Sequence, residues 1–338
     1  MTSRERVIRA LEFDRPDRVP RDIWMLPIVR LLCGDDTVDR FLRRWPVDMA
    51  PAGIPNSELS RMTKGDPFAI GAYVDEWGCL FDNAQAGVIG EVKSPQIDDW
   101  SKLENLRVPW NILNIDTDAI NRRCRASEQF IVADMTARPF ERIQFLRGTE
   151  NVFVDLADES AEFRDLLRQL HEFFVRQTQA WAKTEVDAVF IADDWGSQRG
   201  MLIDPAQWRR WFKPLYAEYA KIAHQAGKKI LMHSDGHIFD IYEDLIEIGI
   251  DAVNSQLFVM DIEQIGRRFA GRITFWGEID RQHILCNGTP DEARLAVARV
   301  ASALRRPEGG VIAQFELGAG AKLDIADAVM NAWAGQVA

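Results

Sequence analysis

The chain has 338 residues, with 47% hydrophobic and 28% charged side chains. That is ordinary globular usage; it excludes intrinsic disorder and allows a large core. The 41 Lys and Arg against 52 Asp and Glu leave a formal charge of −11, which argues against nucleic acid or an anionic membrane as partner.

The four cysteines (Cys33, Cys79, Cys124, Cys286) form no CxxC pair. A disulfide framework and a thiolate zinc cluster are disfavoured, and a reducing compartment is expected. The first twenty residues are rich in Arg, Asp and Glu, and no apolar stretch approaches the roughly 20 residues needed to span a bilayer. The expectation is a soluble cytoplasmic protein. A prior of about 150 residues per domain suggests two domains, but a (β/α)₈ barrel with insertions reaches this length as one.

In chain order, Thr2 or Ser3 caps a first helix with Val7, Ile8 and Leu11 on one face, and Arg15-Pro16-Asp17-Arg18 ends it. Residues 19–25 read as a first strand, 28–45 as helix with a break at Gly34, and 47–50 as a short second strand. The stretch 52–126 breaks the rhythm. It is rich in Pro, Gly and Asp, and 73–83 with 87–93 resembles a hairpin, so it reads as an insertion covering one end.

Strands are then expected at 129–134, 187–192, 229–233, 251–254, 272–276 and 311–315. Helices are expected at 160–184, 205–227, 238–249 and 262–269, in a run opened by Thr289-Pro290-Asp291-Glu292, and at 324–333. Eight strands, most followed by a helix, predict a single (β/α)₈ TIM barrel over 1–338. A doubly wound sheet is the competitor, but no GxGxxG follows a strand and no P-loop is present.

In such a barrel the C-terminal strand ends carry the chemistry. Here five consecutive ends are polar: Asp193 to Arg199, His233 to His237, Asn254 to Gln256, Gly277 to Asp280, and Gln314 to Glu316. Wet loops and helix caps also place polar residues after strands, but all five strands doing so points to a site. His233 and Asp235, two apart, face the same way on a strand. They either bind a divalent ion such as zinc, with Glu316 or Glu278 as a further ligand, or form a hydrogen-bonded pair that orients substrate. Asp193 and Asp194 offer one acid or base, since neighbours on a strand face opposite ways. Asp193, His233, Asp235 and Glu278 are the catalytic candidates. Trp24, Trp195, Gln198, Arg199, Gln256, Trp276 and His283 are the expected substrate contacts, and His233, Asp235 and Glu316 the expected metal ligands.

These residues fall within an ordered set of motifs. It comprises Ser3-Arg4-Glu5-Arg6-Val7, Arg15-Pro16-Asp17-Arg18-Val19-Pro20, Asp75-Glu76-Trp77-Gly78-Cys79, Phe140-Glu141-Arg142 with Leu146-Arg147-Gly148, Asp193 to Gln198, His233-Ser234-Asp235-Gly236, Gly277-Glu278-Ile279-Asp280, and Gly309-Gly310 to Gly320. Over nearly the whole chain the set resembles the uroporphyrinogen decarboxylase superfamily, which implies a (β/α)₈ barrel. The Arg-rich RQAGRYLP-type segment of true uroporphyrinogen decarboxylases is replaced by Arg21-Asp22-Ile23-Trp24-Met25-Leu26-Pro27. The resemblance is therefore to the methyltransferase-like branch. It implies transfer of a methyl group between a small O-methyl or N-methyl compound and a corrinoid protein or another acceptor. A homodimer is compatible with that reading. The zinc site of that branch, His-x-Cys plus a later Cys, keeps His233 but has Asp235 and Phe315-Glu316 where thiolates stand, implying an oxygen-rich site. A metal-free decarboxylase or lyase of a small polycarboxylate, gripped by Arg21, Arg138, Arg142 and Arg199, and a non-catalytic paralogue are the alternatives.

Overall fold

The computed structural model describes residues 1–53 and 62–336, and only the backbone of Met135 and Thr136. Its centre is a curled parallel sheet of seven strands. Their spatial order is β11 (Val311–Ile312), β10 (Thr274–Trp276), β9 (Ala252–Ser255), β8 (Lys229–Ser234), β7 (Ala188–Ala192), β6 (Phe130–Ala137) and β2 (Met49–Pro51). Strand β1 (Trp24–Met25) pairs instead with β12 (Glu316–Leu317), in parallel. The eighth expected strand is thus split: 311–312 lie on β10, Ala313 bridges Arg21, and 316–317 lie on β1. Between β1 and β2 the backbone link is the bond from Asp48 N to Arg21 O, 2.8 Å. The first strand is shorter than 19–25 because Pro20 has no N–H to place in a ladder.

Alternation along the strands sorts their side chains. Met49, Phe130, Val132, Ala188, Leu231, Ala252, Trp276 and Ile312 meet on the concave face, with Trp24 and Phe190 packed against them. The alternate residues Ile131, Val189, Ile230, Met232, Val253 and Phe275 pack outward, in the larger core that includes the helices. The first helix, Ser3–Glu12, is held by a Thr2–Glu5 capping box and sends Val7 and Leu11 into the concave cluster.

Most helices stand where expected, with two breaks of clear cause. Gly34, at φ +78°, separates Pro27–Cys33 from Asp35–Arg44. The helix expected over 205–227 is two, Pro205–Trp211 and Lys213–Gln225, because Pro214 lacks the N–H that would continue the first. Residues 238–249 form a 3₁₀ turn, Phe239–Ile241, followed by the helix Tyr242–Glu247.

Part of the expected insertion, 54–61, lies outside the described residues. The rest contains an antiparallel sheet, β3 (Gly71–Val74), β4 (Leu80–Asn83) and β5 (Glu91–Ser94), then two 3₁₀ turns. Its last ten residues differ from the expectation. Thr117–Ala126 is a regular helix, capped by Asp116, that leads into β6. Two buried arginines of the helix Pro139–Arg147 fasten this segment. Arg142 pairs with Asp75 and with Glu76 (2.9 Å), and Arg147 donates to the carbonyls of Ile97 and Asp98 and pairs with Asp155. Among the described residues no helix is long and apolar enough to cross a membrane.

Candidate functional site

His233, near the end of β8, is in register with Ala192 of β7 and Asn254 of β9. Its concave-face position follows from Leu231, two residues before it. The Asn254 Oδ1 atom lies 2.6 Å from His233 Nδ1. Asn254 is itself oriented, because its Nδ2 donates to Trp276 O and to Gln314 Oε1 (2.9 Å). The amide oxygen therefore fixes the proton on Nδ1 and leaves Nε2 as the reactive nitrogen.

Nε2 faces two carboxylates, Asp194 Oδ1 and Asp235 Oδ1, each at 3.5 Å. Among the described residues, Asp194, His233 and Asp235 form a group whose ligand atoms lie within 4.8 Å of one another. The backbone N–H of Asp235 donates to Asp194 Oδ1 (2.8 Å), tying the two loops together. Asp235 Oδ1 is buried and makes no hydrogen bond, leaving it available to a ligand. The loops meet backbone to backbone: a Cβ on Gly236, at φ +78°, would lie 2.1 Å from the carbonyl of Gly196. Both glycines are required by that crossing.

Arg281 organises the other side. It pairs with Asp235, with Glu278 (3.3 Å) and with Glu316 (3.1 Å). Glu278 and Glu316 are thus outside the three-residue group and are joined to its Asp235 through this guanidinium. Glu278 is 3% exposed. Burial pushes its carboxyl up to about 8, helped by Asp235 and Glu316 and opposed by Arg281. Glu141, paired with Arg138, is also raised by burial.

Below His233 lies an aromatic floor. The Trp24 ring centroid is 5.2 Å from that of His233 and 5.1 Å from that of Trp276, with Phe190 at 6.1 Å. Buried Asp22 accepts both indole N–H groups, at 3.0 and 2.9 Å. Burial raises Asp22 to about 6.

Two expected contacts stand elsewhere. Asp193 is fully buried and accepts from Phe140 N, Glu141 N and Tyr216 Oη, capping the helix Pro139–Arg147. Adjacent strand residues face opposite sides, so Asp194 reaches the concave side and Asp193 does not. Burial raises Asp193 to about 8, against those three bonds. Trp195 is also fully buried, stacked on Phe140 with its indole N–H on Tyr216; it packs the core and lines neither of the two cavities beside the site.

Gln198, Gln256, Glu278, Arg281 and His283 line a cavity of about 200 Å³. A larger cleft of about 1140 Å³ opens between the insertion and the helix Pro139–Arg147, with Asp134, Glu141 and Asp194 on its wall. Exposed Arg199 lines neither space. Sequence reading missed the parts of Arg281 and Asn254. Arg281 stood three residues after Glu278, and Asn254 ended a strand, but nothing local says which carboxylates or imidazole they meet.

No curated protein matches the chain. Among solved structures, a methyltransferase from Methanosarcina mazei superposes with a TM-score of 0.70 at 15% identity, covering 99% of both chains, a likeness of fold. A glycosylated endo-β-1,4-xylanase from Gloeophyllum trabeum is more distant (TM-score 0.48, 11% identity, 94% of this chain and 98% of that one). The family model for uroporphyrinogen decarboxylase (URO-D) matches residues 68–333, a span that holds every polar strand end described above. The chain therefore belongs to the uroporphyrinogen decarboxylase (URO-D) family.

Proposed function

We propose that this protein is a methyltransferase that moves a methyl group between a small O-methyl or N-methyl compound and a corrinoid carried by a partner protein, with zinc at Asp194, His233 and Asp235. We also read the curled sheet and its β1–β12 pair as a (β/α)₈ barrel. The observation that carries the functional reading is the convergence of His233 Nε2 with Asp194 and Asp235, where Asp235 Oδ1 makes no hydrogen bond. One nitrogen and two carboxylates suit zinc, and three protein ligands leave a position open for substrate. The methyltransferase of similar fold is consistent with this.

Methyl ethers and amines are poor methyl donors because their leaving groups are poor. When bound, zinc supplies Lewis acidity to the atom that carries the methyl group. The side chains have distinct tasks. Asn254 holds the His233 tautomer. Arg281 turns Asp235 so that Oδ1 faces the imidazole. Glu278, raised to about 8, keeps a proton near neutral pH and is the donor for the departing atom. The aromatic floor of Trp24, Phe190 and Trp276 keeps water from beneath the site.

A polycarboxylate decarboxylase would need free cations facing a cavity. Arg142 is held by Asp75 and Glu76, Arg138 is paired with Glu141, Arg21 lies over the Trp45 ring, and exposed Arg199 lines neither cavity. The test is metal content after chelator-free purification, together with methyl transfer to cob(I)alamin from a panel of methoxy and methylamino donors. Near-stoichiometric zinc, lost in His233→Ala, and transfer from at least one donor are expected. Zinc below about a tenth of an ion per chain, with no transfer after zinc is added, overturns the proposal.

A further inference from the structure

The two cavities approach the Asp194–His233–Asp235 group over different strands. In the sheet order β10-β9-β8-β7-β6, His233 is on β8. The large cleft takes Asp134 from β6 and Asp194 from just beyond β7. The small cavity takes Gln256 from just beyond β9, and Glu278 and Arg281 from beyond β10. None of Asp194, His233 and Asp235 lines the small cavity; Arg281, on its wall, touches Asp235, so a ligand there reaches the group past that guanidinium.

We infer that the small cavity is the pocket for the methylated substrate, and that its occupant is a small molecule bearing no anionic group. This rests on the methyltransferase reading above. Size is the first argument: about 200 Å³ is below the roughly 300–1,000 Å³ of pockets for drug-sized ligands. The lining is the second. Leu257, Phe258 and Val259 supply an apolar wall for a methyl group or a ring. Glu278, 3% exposed, lines the space; its buried Oε1 makes no hydrogen bond and lies 3.3 Å from Arg281 Nε. Gln256 Oε1 is committed to Gly236 N (3.1 Å) and Gln198 Nε2 (3.3 Å), which leaves its Nε2 as the donor.

Charge is the third argument. Arg281 is the cation on this wall, and Asp235, Glu278 and Glu316 already surround it. A ligand carboxylate or phosphate would have to displace Asp235 or Glu316 from Arg281 while facing Asp280. A neutral methyl ether or a methylated ammonium meets no such repulsion. The large cleft then serves the other reactant.

Calorimetry on the full chain tests this with methoxybenzene, tetramethylammonium and 4-methoxybenzoate. Methoxybenzene or tetramethylammonium binds, and 4-methoxybenzoate binds at least about tenfold more weakly. Phe258→Trp, which fills the cavity, weakens the bound probe about tenfold; Glu91→Trp, on the large cleft, leaves it unchanged. If Phe258→Trp fails to fold, Gln256→Leu serves in its place. Binding that ignores the cavity variants, equal binding of the anion, or no binding of either uncharged or cationic probe overturns the inference. Probe binding that responds to Phe258→Trp without methyl transfer from any donor retires the methyltransferase reading and keeps the pocket. Transfer that Phe258→Trp leaves intact does the reverse.

Discussion

Two polar clusters sit at opposite ends of the strands. At the N-terminal ends, Asp48 is fully buried and accepts five hydrogen bonds: from Ser3 Oγ (2.7 Å), Arg6 Nη1 (2.6 Å), both Nη atoms of Arg18 (2.7 and 2.9 Å) and Arg21 N (2.8 Å). At the C-terminal ends, Asp235 spends one oxygen on Arg281 and leaves the other without a hydrogen bond beside His233. The first cluster is saturated and joins the Arg-Pro-Asp-Arg segment to the start of β2. The second gathers Asp194, Asp235, Glu278 and Glu316 around one guanidinium and one imidazole. Saturation marks a part of the scaffold; unused acceptor capacity in a buried, acidic place marks a part that takes a ligand.

The largest expected effect tests the saturated end. Asp48→Ala leaves Arg6 and Arg18 without their shared partner, and should cost on the order of 3–5 kcal/mol in denaturant unfolding. Zinc affinity of the folded fraction should not change. A loss under about 1 kcal/mol would show that the two ends are not so different.

Arg281→Met probes the unsaturated end. By releasing Asp235 it should weaken zinc 10- to 100-fold, roughly the effect of losing an outer-shell partner, with little change in thermal midpoint. A fall in stability at constant zinc affinity would make Arg281 a scaffold residue like Arg6.

The buried acids give a pH signature. Asp22 is raised to about 6, and Asp193 and Glu278 to about 8. Each binds its proton more tightly folded than unfolded. Their stabilisation is complete below the unfolded value near pH 4 and is lost as pH rises toward about 8. Unfolding midpoints should fall between pH 5 and pH 8, and Glu278→Gln should flatten part of that slope. Midpoints level across this range would show that these carboxyls ionise freely.

The smallest expected effect separates Trp195 from the site it borders. Trp195→Phe removes the bond to Tyr216 Oη and should cost about 0.5–1.5 kcal/mol. Zinc affinity and donor KM should stay as they are. A shifted KM would place Trp195 in ligand contact after all.

Much of the chain order is legible from residue pattern. Runs such as Lys229–His233 and Asp251–Asn254 announce strands because side chains alternate over a buried sheet, and Thr289 with Glu292 announces a capped helix through a purely local pair of bonds. The same local physics marks His233 with Asp235, since two-residue spacing alone sets a shared face. It cannot choose between Asp193 and Asp194, which differ only in the side each faces. The helix Pro139–Arg147 made that choice by offering its N–H groups to Asp193.

What the sequence by itself determined, then, is the succession of strands and helices and the polar chemistry at the strand ends, because periodicity and capping act over a few residues. What only the tertiary structure decided is partnership. Arg281 meets Asp235 and Glu316 across 46 and 35 positions of chain, and Asn254 meets His233 across 21. The split of the last strand between β10 and β1 is of the same kind. Such contacts depend on how loops from different strands cross, as Gly196 and Gly236 do, and no pattern within one segment encodes that crossing.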